Sequence, residues 1–169
     1  MDYDALQAQA LAIFGLGLNS VHGPDHWRRV DECACRLAPA TGADLTVCRL
    51  FALGHDVCRN DDGEDRDHGR RAAAWLRTLA MLQGALDARQ IEQLLAAVAG
   101  HTDGTVTGDP TIGTCWDADR LDLGRVGIIP APQFMSTAAG KMLARSGVAG
   151  MPAAPPLRPA PPDGHLPCG

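Results

Sequence analysis

Apolar positions in this chain recur at helical spacing, and alternation of the strand kind is scarce. Leu6, Ala10, Ile13 and Phe14 fall on one helical face and predict a helix over residues 3–16, closed by Gly15 and Gly17. Pro24, tolerated in a first turn, opens a second helix expected to run to residue 38, ahead of Pro39. Asp44 is a candidate N-cap for a third, running to residue 59. Residues 60–67 are nearly all polar and acidic and read as a loop. Helices are then expected over 68–82, over 87–100 and, from Asp109-Pro110, over 110–123. Residues 124–149 are ambiguous, with a short helix around 136–145.

From residue 150 the sequence is dominated by proline and alanine and carries few large apolar side chains. Such a segment cannot bury enough surface to offset its ordering entropy, so it is expected to be extended or disordered. No internal repeat is visible. The pattern therefore predicts an all-α protein: a helical bundle over 1–149 and a Pro-rich flexible tail over 150–169.

Composition agrees with that pattern. Apolar residues make up 46% of the 169 residues and aromatics only 4%, so the core must be built from Ala, Leu and Val, with few β-branched runs. The length fits one domain. No apolar stretch approaches the length that crosses a bilayer, and the start MDYDALQAQA lacks the basic and apolar regions of a signal peptide. A cytoplasmic protein with no membrane association is the expectation. A formal net charge of -5 and a single lysine, Lys141, argue against gripping a nucleic-acid backbone. They leave room for a small anionic substrate, because a bound divalent cation can supply local positive charge. The six cysteines show no CxxC spacing, and they read as small apolar fillers rather than a disulfide framework. Nothing fixes the oligomeric state.

The candidate chemistry lies in five histidines between residues 22 and 101: His22 and His26 in HGPDHWRRV, His55 in LFALGHDVCRN, His68 in DRDHGRRAA and His101 in AVAGHTDG. A zincin motif fails, since residue 23 is Gly where a general-base glutamate is needed. The loop at Asp61 is no EF-hand either, with neither the central glycine nor the terminal glutamate in place. His55-Asp56 follows the apolar run 50–53. A histidine and a carboxylate side by side near a core are costly without partners. A divalent metal would satisfy both, although a buried His–Asp hydrogen bond would as well. Trp27, Trp75 and Trp116 read as packing residues.

The order of these pieces resembles the HD superfamily of metal-dependent phosphohydrolases, from about His22 to Gly127. The pieces that carry the resemblance are HGPDHWRRV, GHD and WDADRLDLGRVG. It implies a compact HD-domain-like bundle in which His26, His55, Asp56 and Asp119 bind one divalent metal ion (Mn, Fe, Co, Ni, Mg or Zn). Asp119 is selected over Asp117 and Asp122 because it follows a small residue. Some branches of the superfamily hold a second metal with two further histidines, a place that His68 and His101 would take. The GYP signature of cyclic-dinucleotide phosphodiesterases is absent after His101.

The implied activity is hydrolysis of a phosphate ester of a nucleotide or another small phosphorylated metabolite. Asp56 would position the attacking water, while Arg59, His68 and His101 would stabilise charge on the phosphate. His22, Arg59 and Asn60 are candidate substrate contacts. Alternatively, Asn60, Asp61 and Asp62 form no more than a solvated turn. Two other functions share the same ligand set: a di-iron oxygenase resembling myo-inositol oxygenase, and a non-catalytic metal-containing module that senses a ligand.

Overall fold

Asp residues set the starts of four of the helices. A short carboxylate placed just before a helix accepts the N–H groups that the first turn leaves without partners. Asp2 does this for α1 (Tyr3–Ile13), Asp44 for α3 (Leu45–Gly54), Asp87 for α6 (Ala88–Gly100) and Asp109 for α7 (Pro110–Leu121). At Asp87 the device is reciprocal, since Gln90 reaches back to the Asp87 N–H. Prolines open α2 (Pro24–Thr41) and α7. The remaining helices are α4 (His68–Thr78), α5 (Ala80–Ala85) and α8 (Ala138–Arg145), with 3₁₀ turns at Asp122–Val126 and Pro132–Phe134. This computed structural model describes residues 2–103 and 105–146, and among them there is no strand. The expected tail over 150–169 lies outside the described residues. None of the helices described is long and apolar enough to cross a membrane.

Four boundaries differ from the expectation. The first helix ends at Ile13, short of residue 16. The second runs through Pro39, which sits exposed in its last turn, and ends at Gly42 in the left-handed region (φ 72) that glycine enters without penalty. The third stops at Gly54, so His55 and Asp56 lie in the turn beyond it rather than within a helix to 59. The predicted helix over 68–82 is divided at Leu79, whose backbone is extended (ψ 105) and whose side chain is buried.

The helices close around one core. α2 packs on α3 and α7, α3 on α6 and α7, and α4 on α6. Val30, Ala34 and Leu37 of α2 meet Val47, Leu50 and Phe51 of α3, Leu94, Ala97 and Val98 of α6, and Cys115, Ala118 and Leu121 of α7, all buried. Each large aliphatic side chain so buried contributes about 1.5–3 kcal/mol. Cys33, Cys48 and Cys115 are core fillers of this kind. One glycine sets a helix spacing that matters for the site. A Cβ at Gly69 would stand 2.6 Å from the Val98 carbonyl oxygen and 3.1 Å from the His101 ring, so only glycine lets α4 approach α6 this closely.

Candidate metal centre

The early end of α3 positions the His-Asp pair. Past Gly54 the chain turns, and the imidazole of His55 folds back so that its Nδ1 lies 3.2 Å from the Phe51 oxygen and 3.1 Å from the Ala52 oxygen. Both carbonyls lie in the last turn of α3, and that of Phe51 also accepts the His55 N–H at 2.9 Å. The end of α6 repeats the device, with His101 Nδ1 2.7 Å from the Val98 oxygen. His68 is the first residue of α4, and its Nδ1 contacts the Asp65 carbonyl oxygen. His26, one turn into α2, turns Nδ1 to Asp122 Oδ2 at 2.7 Å. In all four residues Nδ1 faces an acceptor and therefore carries the proton. Each Nε2 points inward, and in the neutral imidazole it offers the lone pair with which histidine binds metals.

The four Nε2 atoms meet two carboxylates. His26 Nε2 lies 3.0 Å from His55 Nε2, 3.2 Å from Asp119 Oδ1 and 3.6 Å from Asp56 Oδ2. His55 Nε2 lies 3.5 Å from Asp56 Oδ2 and 3.7 Å from Asp119 Oδ1. On the other side of Asp56, Oδ1 is 2.9 Å from His68 Nε2 and 3.5 Å from His101 Nε2, which are themselves 2.8 Å apart. With metal–ligand bonds of about 2.1 Å, ligands at right angles sit about 3.0 Å apart and those of a tetrahedron about 3.4 Å. The observed separations are those of ligands around a shared ion. Two facing nitrogen lone pairs at 3.0 or 2.8 Å repel unless a proton or a metal ion lies between them. The cluster can hold a metal ion, and its donor set fits one.

The electrostatics point the same way. Burial works against charge on His26 and His101, yet Asp119 and Asp122 around the first, and Asp56 beside the second, hold both above the ordinary imidazole value. His55, fully buried against Phe51 with ring centroids 4.8 Å apart, is pushed down to about 3, chiefly by burial, and stays neutral. Burial raises Asp56 and Asp119 as well, but His55 and the other histidines around Asp56, and His26 and His55 around Asp119, hold both below the usual carboxylate range. The carboxylates thus demand positive charge at the centre.

Several residues that support this centre carry no signal in the sequence. Asp122 bonds His26 through one oxygen and accepts from Arg29 Nε through the other at 2.8 Å. Arg125 donates to the Val21 oxygen at 2.9 Å and the Asp122 carbonyl at 3.2 Å, tying the turn that carries His22 to the end of α7. Asp117 points elsewhere: it accepts the N–H groups of Ser136 and Thr137 and anchors the start of α8. Of the three carboxylates in WDADRLD, only Asp119 reaches the histidine nitrogens directed inward. The signal that could have exposed Asp122 is pairing with Arg29, 93 residues away, and a single sequence does not display it.

The other candidates have definite places. His22 Nδ1 donates to Asp56 Oδ2 at 2.7 Å; that short contact fixes its tautomer, so Arg125 Nη2 at 3.4 Å is a neighbour rather than a donor to it. Arg59 Nε bonds Asp56 Oδ1 at 3.2 Å, while its Nη1 holds the carbonyls of Asp61 and Gly63. The backbone N–H of Asn60 closes the loop on Asp65 at 2.9 Å. Asp62 accepts from Ser20 at 2.5 Å, and Asp61 accepts the Gly63 N–H. A pocket of about 600 Å³ opens beside His68, with Arg59, Arg66, Arg70, Thr102 and Asp103 among its walls. That volume suits a small metabolite. Asn60 does not line it.

In comparisons with known proteins the chain matches no family model, no curated protein and no solved structure.

Proposed function

We propose that this protein is a metal-dependent phosphohydrolase of the HD type, acting on the phosphate ester of a small metabolite with one or two divalent cations. The observation that carries the reading is Asp56. Its Oδ2 faces His26 and His55, and its Oδ1 faces His68 and His101, so one carboxylate serves both groups of inward nitrogens. The cations would be held by His26, His55, Asp56 and Asp119, with His68 and His101 completing a second position. A cation held there supplies Lewis acidity, which stabilises charge on a phosphoryl oxygen and makes water acidic enough to ionise near neutral pH.

The protein's own side chains do the positioning. Arg59 and His22 fix the Asp56 carboxylate from two sides, through Oδ1 and Oδ2 respectively. Arg59 also forms a wall of the pocket, where its guanidinium would face charge growing on the phosphoryl group. In the reaction water adds to phosphorus, the P–O bond to the alcohol breaks, and the alcohol leaves with a proton. The arginine-bearing pocket beside the cluster favours this reading over oxygenase chemistry with the same ligands.

The test is phosphate release from a panel of phosphate esters in Mn²⁺, Co²⁺, Mg²⁺ and Fe²⁺, comparing the wild type with Asp56→Ala. The reading expects turnover that the variant loses. Activity retained in a variant that no longer binds metal would refute it. No turnover in any metal, combined with iron content and oxygen consumption, would turn the reading to an oxygenase.

A further inference from the structure

The pocket beside His68 narrows the substrate, provided that the phosphohydrolase reading holds. Among the described residues no apolar side chain and no Phe, Tyr or Trp lines it, and its one ring is the His68 imidazole, which is turned to Asp56 and His101. A nucleobase is held by stacking and by apolar walls, and the Phe, Tyr and Trp rings of this chain lie elsewhere. Phe14 packs on Trp27, Phe51 on His55, and Tyr3 under Arg49. Trp116 bonds the Ala97 carbonyl, Trp75 packs against the core, and Phe134, 51% exposed, lies on the 3₁₀ turn ahead of α8. None reaches the pocket wall.

The wall is instead an even mixture of charges: Arg59, Arg66 and Arg70 against Glu64, Asp65 and Asp103. A polyphosphate chain would meet the three carboxylates unfavourably, and a neutral polyol would leave the arginines unused. A molecule with hydroxyl donors for the carboxylates and anionic groups for the guanidinium forks satisfies both. Arg66 and Arg70 are available for such a role. Their partners are Glu64 and Asp67, and the side chains of these pairs are 86%/71% and 66%/68% exposed. Exposed pairs of this kind hold their members only weakly.

We infer that the substrate is a phosphorylated sugar or polyol carrying a second anionic group, with its scissile phosphate at the His/Asp cluster and its second anion at Arg66 and Arg70. Water cleaves the phosphate ester to give inorganic phosphate and the sugar hydroxyl.

The test has two readouts. Turnover of fructose bisphosphate, glucose phosphate, AMP and p-nitrophenyl phosphate is compared in the metal that supports the highest rate. Binding of fructose bisphosphate and AMP to the metal-free protein is followed by calorimetry. Fructose bisphosphate is expected to exceed AMP by at least about tenfold in kcat/KM and to bind the metal-free protein more tightly. The double substitution Arg66→Ala with Arg70→Ala is expected to raise KM for fructose bisphosphate about tenfold more than KM for p-nitrophenyl phosphate. Preference for AMP in both readouts overturns the inference while leaving the phosphohydrolase intact. An equal rise in both KM values overturns the placement of the second anion. Failure to cleave any of the four esters overturns the inference, and the phosphohydrolase falls with it only when the whole ester panel gives no turnover in any metal.

Discussion

The two sides of Asp56 are built differently. On one side, His26, His55 and Asp119 come from α2, the end of α3 and α7, the mutually packed helices of the core. His26 is locked by Asp122, itself held by Arg29, and His55 is stacked on a fully buried Phe51. On the other side, His68 and His101 sit where a helix begins and another ends. His68 leans on the carbonyl of Asp65, in a loop whose tip is exposed. The first side is rigid because several core elements determine each ligand. The second is placed by the packing of α4 on α6, closest at Gly69, by the edge of Phe51 against His101 and by a polar loop, and it borders the pocket. A site that must hold an ion and also admit a substrate needs both kinds of construction.

Asp56 belongs to both sides, so its removal has the largest expected effect. Asp56→Ala should abolish metal binding and lower kcat/KM by about a thousandfold or more, roughly 4 kcal/mol of transition-state stabilisation. Rate measurements at saturating metal check this, and a variant within about tenfold of wild type would mean that the carboxylate does not join the two sides.

Next in size is the rigid side's support. Asp122→Asn keeps the shape but weakens the grip on His26 Nδ1, and metal affinity should fall about 10–100-fold, as measured by competition with a chelating dye. An equal loss from Asp117→Asn, whose carboxylate serves the start of α8, would show that the effect is general destabilisation.

The open side can be disturbed alone. Gly69→Ala pushes on the Val98 carbonyl and the His101 ring, which should cost about 1–3 kcal/mol of stability. Thermal melting measures that cost. Metal titration should then show weakened binding at His68 and His101 while the site formed by His26, His55 and Asp119 persists. Equal weakening of both would erase the distinction between the two sides.

The helix starts were legible in the sequence because their signals are local: Asp44, Asp87 and Asp109 accept neighbouring N–H groups, and Pro24 and Pro110 supply a helical φ where no N–H is needed. The ends were less so. The glycine in LFALGHD is a stop signal that the apolar run before it masked, and nothing in RTLAMLQ marks the break at Leu79, whose side chain is buried. Likewise, the histidines could be picked out as residues of a rare and reactive type. Their orientation could not, because it depends on Asp122 and on helix-end carbonyls met only in three dimensions. The resemblance to the HD superfamily proposed a ligand set, and the geometry brings its members together. It also adds His22 as a donor to Asp56.

A smaller effect follows from protonation. Without metal, His26 and His101 have raised pKa values, so the stability they contribute is fully present below the ordinary imidazole value of about 6.5 and is lost as pH rises through their folded values. His55, depressed to about 3, acts oppositely, and its contribution declines as pH falls from about 6.5 toward 3. Metal must displace the protons of His26 and His101, so the rise in Tm on adding metal should grow as pH rises above the ordinary imidazole value of about 6.5. Differential scanning calorimetry with and without metal checks it, and a pH-independent increment would count against the cluster as the binding site.

The central claim is that the inward-facing nitrogens and Asp56 form a metal centre. The most direct test is the metal content of the purified protein and of Asp56→Ala by mass spectrometry, each after equilibration with Mn²⁺ or Fe²⁺ and removal of free ion. The account predicts about one to two ions per wild-type chain and none retained by the variant. A wild-type chain that stays metal-free, or a variant that keeps the same content, would contradict it.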